Sequence, residues 1–217
     1  MLFEDITEIN KLKKQVQEQE RKAIAGDLAT GFVHEIRNPL SVAGGVIQLL
    51  EIVDDPKRQL ILIEIPKVIK EIEFLIKSDA NLNNIKLTID ESSEQFPLMK
   101  GDSTHLKQVF LNIMKNAIEA MEDGGELKIA YYHNSKKVGV IFEDNGPGIA
   151  EENLPLILES FFTTKDTGTG LGLSVSSELV KSMDGELKIE SILGKGTTVM
   201  ITFPVFRPTK NARDHNN

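Results

Sequence analysis

The apolar residues of this chain change their spacing near residue 80, and that change constrains the architecture more than any other feature. From Thr7 to about Val53 there is one Pro and, before Gly26, no Gly, while Ile9, Leu12, Val16 and Ala23 recur every three to four residues or close to it. Such spacing predicts a long helix with a thin apolar seam. Asp54, Asp55 and Pro56 then supply an N-cap carboxylate and a first-turn proline, which predicts a second helix. On it, Leu62, Ile65, Ile69, Ile72 and Ile76 form a stripe that Ile61, Val68 and Leu75 widen. One partner helix cannot cover so broad a stripe, so two hairpins are expected to pair as a dimeric four-helix bundle. Pro66 is expected to bend the second helix, because it lacks a donor and crowds the preceding turn.

From about Ile85 the pattern alternates between strands and helices. Ile85 to Asp90, Glu126 to Tyr132 and Lys137 to Glu143 read as strands, the last two around a turn at Asn134-Ser135. Ser103 to Met121 and Leu171 to Met183 read as helices. Glu186 to Ser191 and Thr198 to Val205 close a hairpin around Gly194-Lys195-Gly196. An α+β layer follows, a mixed sheet with helices on one face. The fold class is therefore multi-domain, an all-α hairpin followed by an α+β sandwich.

Composition narrows the chemistry. The chain has 217 residues, and 25 Lys plus Arg against 33 Asp plus Glu give a net charge of −8. That balance argues against nucleic acid as a general partner and makes any phosphate site local. With no Cys, thiolate metal sites, thiol nucleophiles and disulfides are excluded. No apolar run approaches the ~20 residues of a membrane helix, so a cytoplasmic polypeptide is expected. Leu2 to Thr7 reads as a strand end and turn without a partner strand, which suggests an upstream domain.

Two glycine-rich loops stand out, Asp144-Asn145-Gly146-Pro147-Gly148 after a strand and Gly168-Thr169-Gly170-Leu171-Gly172 before a helix. Neither has Rossmann or Walker spacing, and either alone is explained as a turn. The second nevertheless suits an anion, since a helix starting near Leu171 points unpaired N–H groups at it. Asn112 and Asn116 lie at i and i+4 on an otherwise apolar helix, with Lys115 beside them. Amides at that spacing could hold a hydrated Mg²⁺. Upstream, His34 and Asn38 share a helix face with Glu35 adjacent, which places an imidazole, a proton acceptor and an amide at one level. Position 38 is Asn, so the H-E-x-x-H metal motif fails. His105, His133 and His215 read as surface residues.

These residues together resemble the sensor histidine kinases of two-component signalling. His34 to Leu40 is similar to their H box, Asn112 to Ala120 to the N box, and Asp144 to Gly148 to the G1 box. Phe161 to Lys165 is similar to the F box and Gly168 to Leu173 to the G2 box. The resemblance implies an end of a PAS-like sensor and signalling helix over 1–22 and a dimerisation and phosphotransfer hairpin over 23–78. It further implies an ATP-binding domain of the Bergerat (GHKL) type over 79–206 and a tail over 207–217. His34 would accept the γ-phosphoryl group, Glu35 would take the imidazole proton, and Asn38 would orient a water in a phosphatase mode. ATP and Mg²⁺ are implied, with Asn116 on the metal. The nucleotide would be held by Asn112, Lys115, Asn116, Asp144, Gly146, Gly148, Thr164, Lys165, Gly168, Thr169, Gly170, Leu171 and Gly172. Implied partners are a second copy of the chain, a response-regulator receiver domain and a kinase-inhibitor protein. Membrane contact is implied only through an N-terminal part absent from the sequence. Gly31 to Leu50 and Ala80 to Ile85 resemble sporulation kinases of spore-forming bacilli.

One departure stands out. Only Lys77-Ser78-Asp79 separates Ile76 from Ala80, where the family finishes its hairpin and adds a linker, a strand and a helix. Roughly 25 to 35 residues are expected to be absent, about one strand and one helix. The sequence is therefore expected to lack the start of its ATP-binding domain, by deletion or by closing over residues that it omits. The alternative function is a phosphotransfer or scaffold dimer whose ATP domain is not catalytic.

Overall fold

The computed structural model describes residues 60–90, 95–165 and 168–208. His34, Glu35, Asn38 and the helix expected over 7–53 lie outside the described residues, as does most of the tail.

Among the described residues the element order is β1 (Ile61–Ile63), α1 (Ile65–Leu82), β2 (Ile85–Ile89), β3 (Met99–Gly101) and α2 (Ser103–Ala120). Then follow β4 (Gly125–His133), β5 (Lys137–Asp144), α3 (Gly172–Lys181), β6 (Glu186–Ile192) and β7 (Gly196–Pro204). Five strands form one mixed sheet in the order β2-β4-β5-β7-β6, with β2 parallel to β4 and the remaining pairs antiparallel. β1 and β3 form a separate antiparallel pair.

Local chemistry sets the element ends. Asp102 caps α2, its Oδ1 accepting from Thr104 N at 2.7 Å and His105 N at 3.1 Å. Asn134 shapes the β4–β5 turn, its Oδ1 accepting from Lys136 N and Lys137 N at 2.8 Å each. Alternation along β4 buries Leu127 and Ile129 and exposes Lys128. The buried face meets the helices, and Phe110 of α2 stacks on Phe142 of β5 with ring centroids 5.7 Å apart. The expected α+β sandwich is present.

The structure corrects the assignment of residues 61–82. Ile65, Val68, Ile69, Ile72 and Ile76 are buried inside the sandwich, where α1 packs on α2 and β2. Pro66 stands in the first turn of α1, where its missing N–H costs nothing, so it starts the helix rather than bending one. Lys77, Ser78 and Asp79 lie within α1, and Ile76 and Ala80 are both fully buried one turn apart. No boundary falls at 78–79. The strand and helix expected to be missing from this domain are β1 and α1. The stripe that argued for a bundle is satisfied within the chain's own sandwich, so its width no longer argues for a dimer. Periodicity could not separate the two cases, because a helix packed on a sheet and one packed in a bundle share the same spacing. Of the surface histidines, His133 is exposed, whereas His105 is half-buried, its Nδ1 4.0 Å from Asp102 Oδ2.

Candidate nucleotide site

Three loops converge on one face of α2. The loop after β5 lies against its C-terminal end, since a Cβ on Gly146 would meet Met121 Cγ at 3.1 Å and Ala120 Cβ at 3.8 Å. The start of α3 lies against its middle, where a Cβ on Gly172 would meet Asn112 Oδ1 at 2.5 Å. Between them, Lys165 Nζ pairs with Glu119 Oε2 at 2.6 Å. At the rise of an α-helix, the contacts from Asn112 to Met121 span about 13 Å, which sets the separation of the two glycine loops.

The Asp144 loop is built by backbone constraints. Asp144 Oδ1 accepts from Gly146 N at 3.0 Å and from Thr197 N at 3.1 Å. Burial pushes its carboxyl above the usual range, and those two N–H bonds oppose the shift. Gly148 has φ +70°, and a Cβ there would overlap the Ile192 carbonyl, so only glycine fits against the β6–β7 hairpin. Asn145 Oδ1 accepts from Glu126 N at 2.7 Å and ties the loop to the start of β4.

At the other end, α3 begins without a side-chain cap. Its backbone ladder starts with Val175 N donating to Leu171 O at 2.9 Å, so the N–H groups of Gly172, Leu173 and Ser174 have no intrahelical acceptor. An uncapped helix start of this kind holds anionic oxygens by N–H donation and by its dipole. Gly170, at φ +66°, packs against the Phe161 backbone, and Phe161 itself has φ +72°. Left-handed backbone at a non-glycine residue costs energy, which places strain at the root of the 149–170 segment.

The expected site residues separate into groups. Gly146, Gly148, Gly168, Gly170 and Gly172 all sit where a Cβ would crowd a neighbour. Asn112 has a partner within the domain, since its Nδ2 donates to Ser176 Oγ of α3 at 3.0 Å while Oδ1 faces Gly172. The Leu171 side chain is buried, so Leu171 offers the site backbone alone, and its N–H reaches Thr169 Oγ1 at 3.4 Å. Lys115 and Thr164 are exposed, and Lys165 is held by Glu119 rather than standing free. Asn116 is half-buried and has no hydrogen-bond partner among the described residues, which fits an oxygen ligand for a hydrated Mg²⁺. Sequence reasoning missed Thr197 and Ser191. The signal available was their position around Gly194-Lys195-Gly196, which reads as a hairpin turn and nothing more.

Known proteins are similar to this chain in sequence and share its fold. The family described as "Histidine kinase-, DNA gyrase B-, and HSP90-like ATPase" matches residues 101–207. Sporulation kinase E of Bacillus subtilis (strain 168) is 34% identical over all of this chain and 33% of its own length. The signal transduction histidine-protein kinase AtoS of Escherichia coli (strain K12) is 30% identical over 94% of this chain and 39% of its own. The chain thus spans between a third and two fifths of these relatives. The match with Sporulation kinase E extends over 247 positions against 217 residues here, so about 30 of its positions lack a counterpart. The nucleotide-free catalytic domain of histidine kinase ThkA superposes with TM-score 0.61 at 31% identity, covering 68% of this chain and 96% of that one. Full-length ShkA in complex with AMPPNP has the same fold, with TM-score 0.68 at 24% identity over 77% of this chain and 36% of that one.

Proposed function

The chain belongs to the sensor histidine kinases, and from that premise we propose that it is an ATP-dependent protein-histidine kinase. It phosphorylates His34 and passes the group to an aspartate on a response-regulator receiver domain. The observation that carries this reading is the convergence of the Asp144 loop and the uncapped start of α3 on the face of α2 that bears Asn116. Likeness to sporulation kinases supports a place in a sporulation phosphorelay.

Each end of the site has a task. Asp144 accepts from the amino group of the adenine, and the N–H groups opening α3 hold phosphate oxygens. Asn116 is the ligand for Mg²⁺, which when bound neutralises charge on the phosphates. Lys115 and Lys165 add positive charge there once Lys165 leaves Glu119. Phosphoryl transfer depends on in-line placement and charge neutralisation more than on covalent help from the protein. As the His34 imidazole nitrogen bonds to the γ-phosphorus, the bond to the bridging oxygen breaks and ADP departs with the electron pair. Glu35 takes the imidazole proton. In a phosphatase mode Asn38 orients the water that attacks a phospho-aspartate.

One observation favours a second reading. β1 and α1 take up residues 61–82, which the second helix of a phosphotransfer hairpin would have used, and about 30 positions of the relative have no counterpart. In that reading the sandwich binds ATP while the hairpin is too short to present His34 to it. This reverses the alternative expected from sequence, in which the ATP domain was the damaged part. Incubating the chain with Mg²⁺ and γ-labelled ATP separates the two. Acid-labile, base-stable label that disappears in His34→Gln supports the kinase, whereas ATP binding without label supports the second reading.

A further inference from the structure

Four residues form one row across the sheet. Leu127 pairs with Asp144, Asp144 with Thr197, and Thr197 with Ser191, on β4, β5, β7 and β6 in turn. Directly paired residues put their side chains on the same face, so buried Leu127 is followed by a carboxylate and two hydroxyls. Ser191 Oγ accepts from Ile149 N at 2.8 Å, donates to Gly196 O at 2.9 Å and lies 2.9 Å from Thr197 Oγ1.

The hydroxyl of Ser191 has one proton. The Gly196 carbonyl can only accept, so that proton is spent there. Ile149 N–H can only donate. The contact with Thr197 is then a hydrogen bond only if Thr197 is the donor, which commits the single Thr197 proton to Ser191. One arrangement of protons satisfies all three contacts, and it leaves Thr197 Oγ1 with lone pairs alone for any ligand. Asp144 Oδ1 already takes two N–H groups, and an ionised carboxylate has no donor, so its Oδ2 is an acceptor as well. The row therefore presents acceptors and no donor.

We propose that Ser191 is a positioning residue for base recognition, holding the Thr197 hydroxyl so that its oxygen accepts, together with Asp144, from the 6-amino group of a purine. The proposal rests on the reading of the Asp144 loop as the base-binding end of an ATP site. An amino group has two hydrogens for the two acceptors, and a 6-oxo purine would set its carbonyl against both. Sites built to satisfy a hydrogen-bonding group discriminate strongly against analogues lacking it, because their own polar atoms are then left unpaired.

The test is calorimetric binding of ATP and of purine riboside triphosphate, which has hydrogen in place of the amino group, to the full chain in Mg²⁺. The unmodified chain is expected to prefer ATP. Ser191→Ala should weaken ATP roughly tenfold, a factor on the scale of one oriented hydrogen bond, and change the analogue by less than about twofold. Ser191→Thr, which keeps the hydroxyl, should restore the preference. Retained binding of the analogue also reports that the alanine variant is folded. Equal loss for both nucleotides, or no loss for either, overturns the role of Ser191 and leaves the ATP site standing. Failure of the unmodified chain to bind ATP at all overturns the reading of the site and this inference with it.

Discussion

Lys165 Nζ and Glu119 Oε2 lie 2.6 Å apart, which joins the 149–170 segment to the helix that carries Asn116. The two side chains are 41% and 59% exposed, so the pair is a modest latch, worth at most about 1 kcal/mol. A lysine so engaged must leave its carboxylate before it can meet a phosphate. Glu119→Gln is therefore expected to raise ATP affinity by about two- to threefold at low salt. The gain should shrink at 0.5 M salt, as titration calorimetry at both ionic strengths would show.

Asp144 carries a stability cost, which the proposed contact with the base would explain. Its carboxyl titrates above the usual range because of burial, so the folded state resists ionisation more than the unfolded chain does. The penalty is absent at pH values below the unfolded carboxyl pKa and is fully present once pH has risen past the raised folded value. Asn at this position keeps an oxygen for Gly146 N and Thr197 N but has no charge to bury. Asp144→Asn is expected to melt higher than the parent at pH 7 and level with it near pH 3, while losing more than about tenfold in ATP affinity. Melting curves at the two pH values check the sign.

The reassignment of α1 makes a paired prediction. Ile76 is fully buried and Phe74 is 81% exposed on the same helix. Ile76→Ala should cost about 2–5 kcal/mol by urea unfolding, through lost burial and a cavity. Phe74→Ala should fall within about 0.5 kcal/mol of the parent. Equal effects would contradict the packing of α1 in the sandwich.

Much of this was legible in the sequence. The bounds of α2 and of β4 to β7 follow from period, caps and turn residues such as Asp102 and Asn134, since those signals are local. The glycine loops and Asn116 were legible because they fall at fixed offsets from the elements they join. β3, three residues long, was missed, as a short strand has no periodicity to read. The place of residues 61–82 was misread because the choice between bundle and sandwich lies in long-range contacts, β1 against β3 and α1 against α2. Ser191 and Thr197 were missed because strand pairing brings Thr197 beside Asp144 and Ser191 beside Thr197, from about fifty positions away in sequence.

Gly148 tests the fit between loop and hairpin. Its φ of +70° and the Ile192 carbonyl leave no room for a side chain. Gly148→Ala should destabilise the domain by about 1–3 kcal/mol and weaken ATP binding through displacement of the Asp144 loop. An alanine variant with the parent's unfolding midpoint would contradict the described contact.

The most direct measurement is titration of the full chain with ATP in Mg²⁺, repeated with Asn116→Asp. Convergence of the two glycine loops on α2 predicts saturable binding of one nucleotide per chain that requires Mg²⁺ and is lost in the variant while the fold is retained. Absence of saturable binding, or binding that the variant leaves unchanged, would contradict the assignment of this face as the nucleotide site.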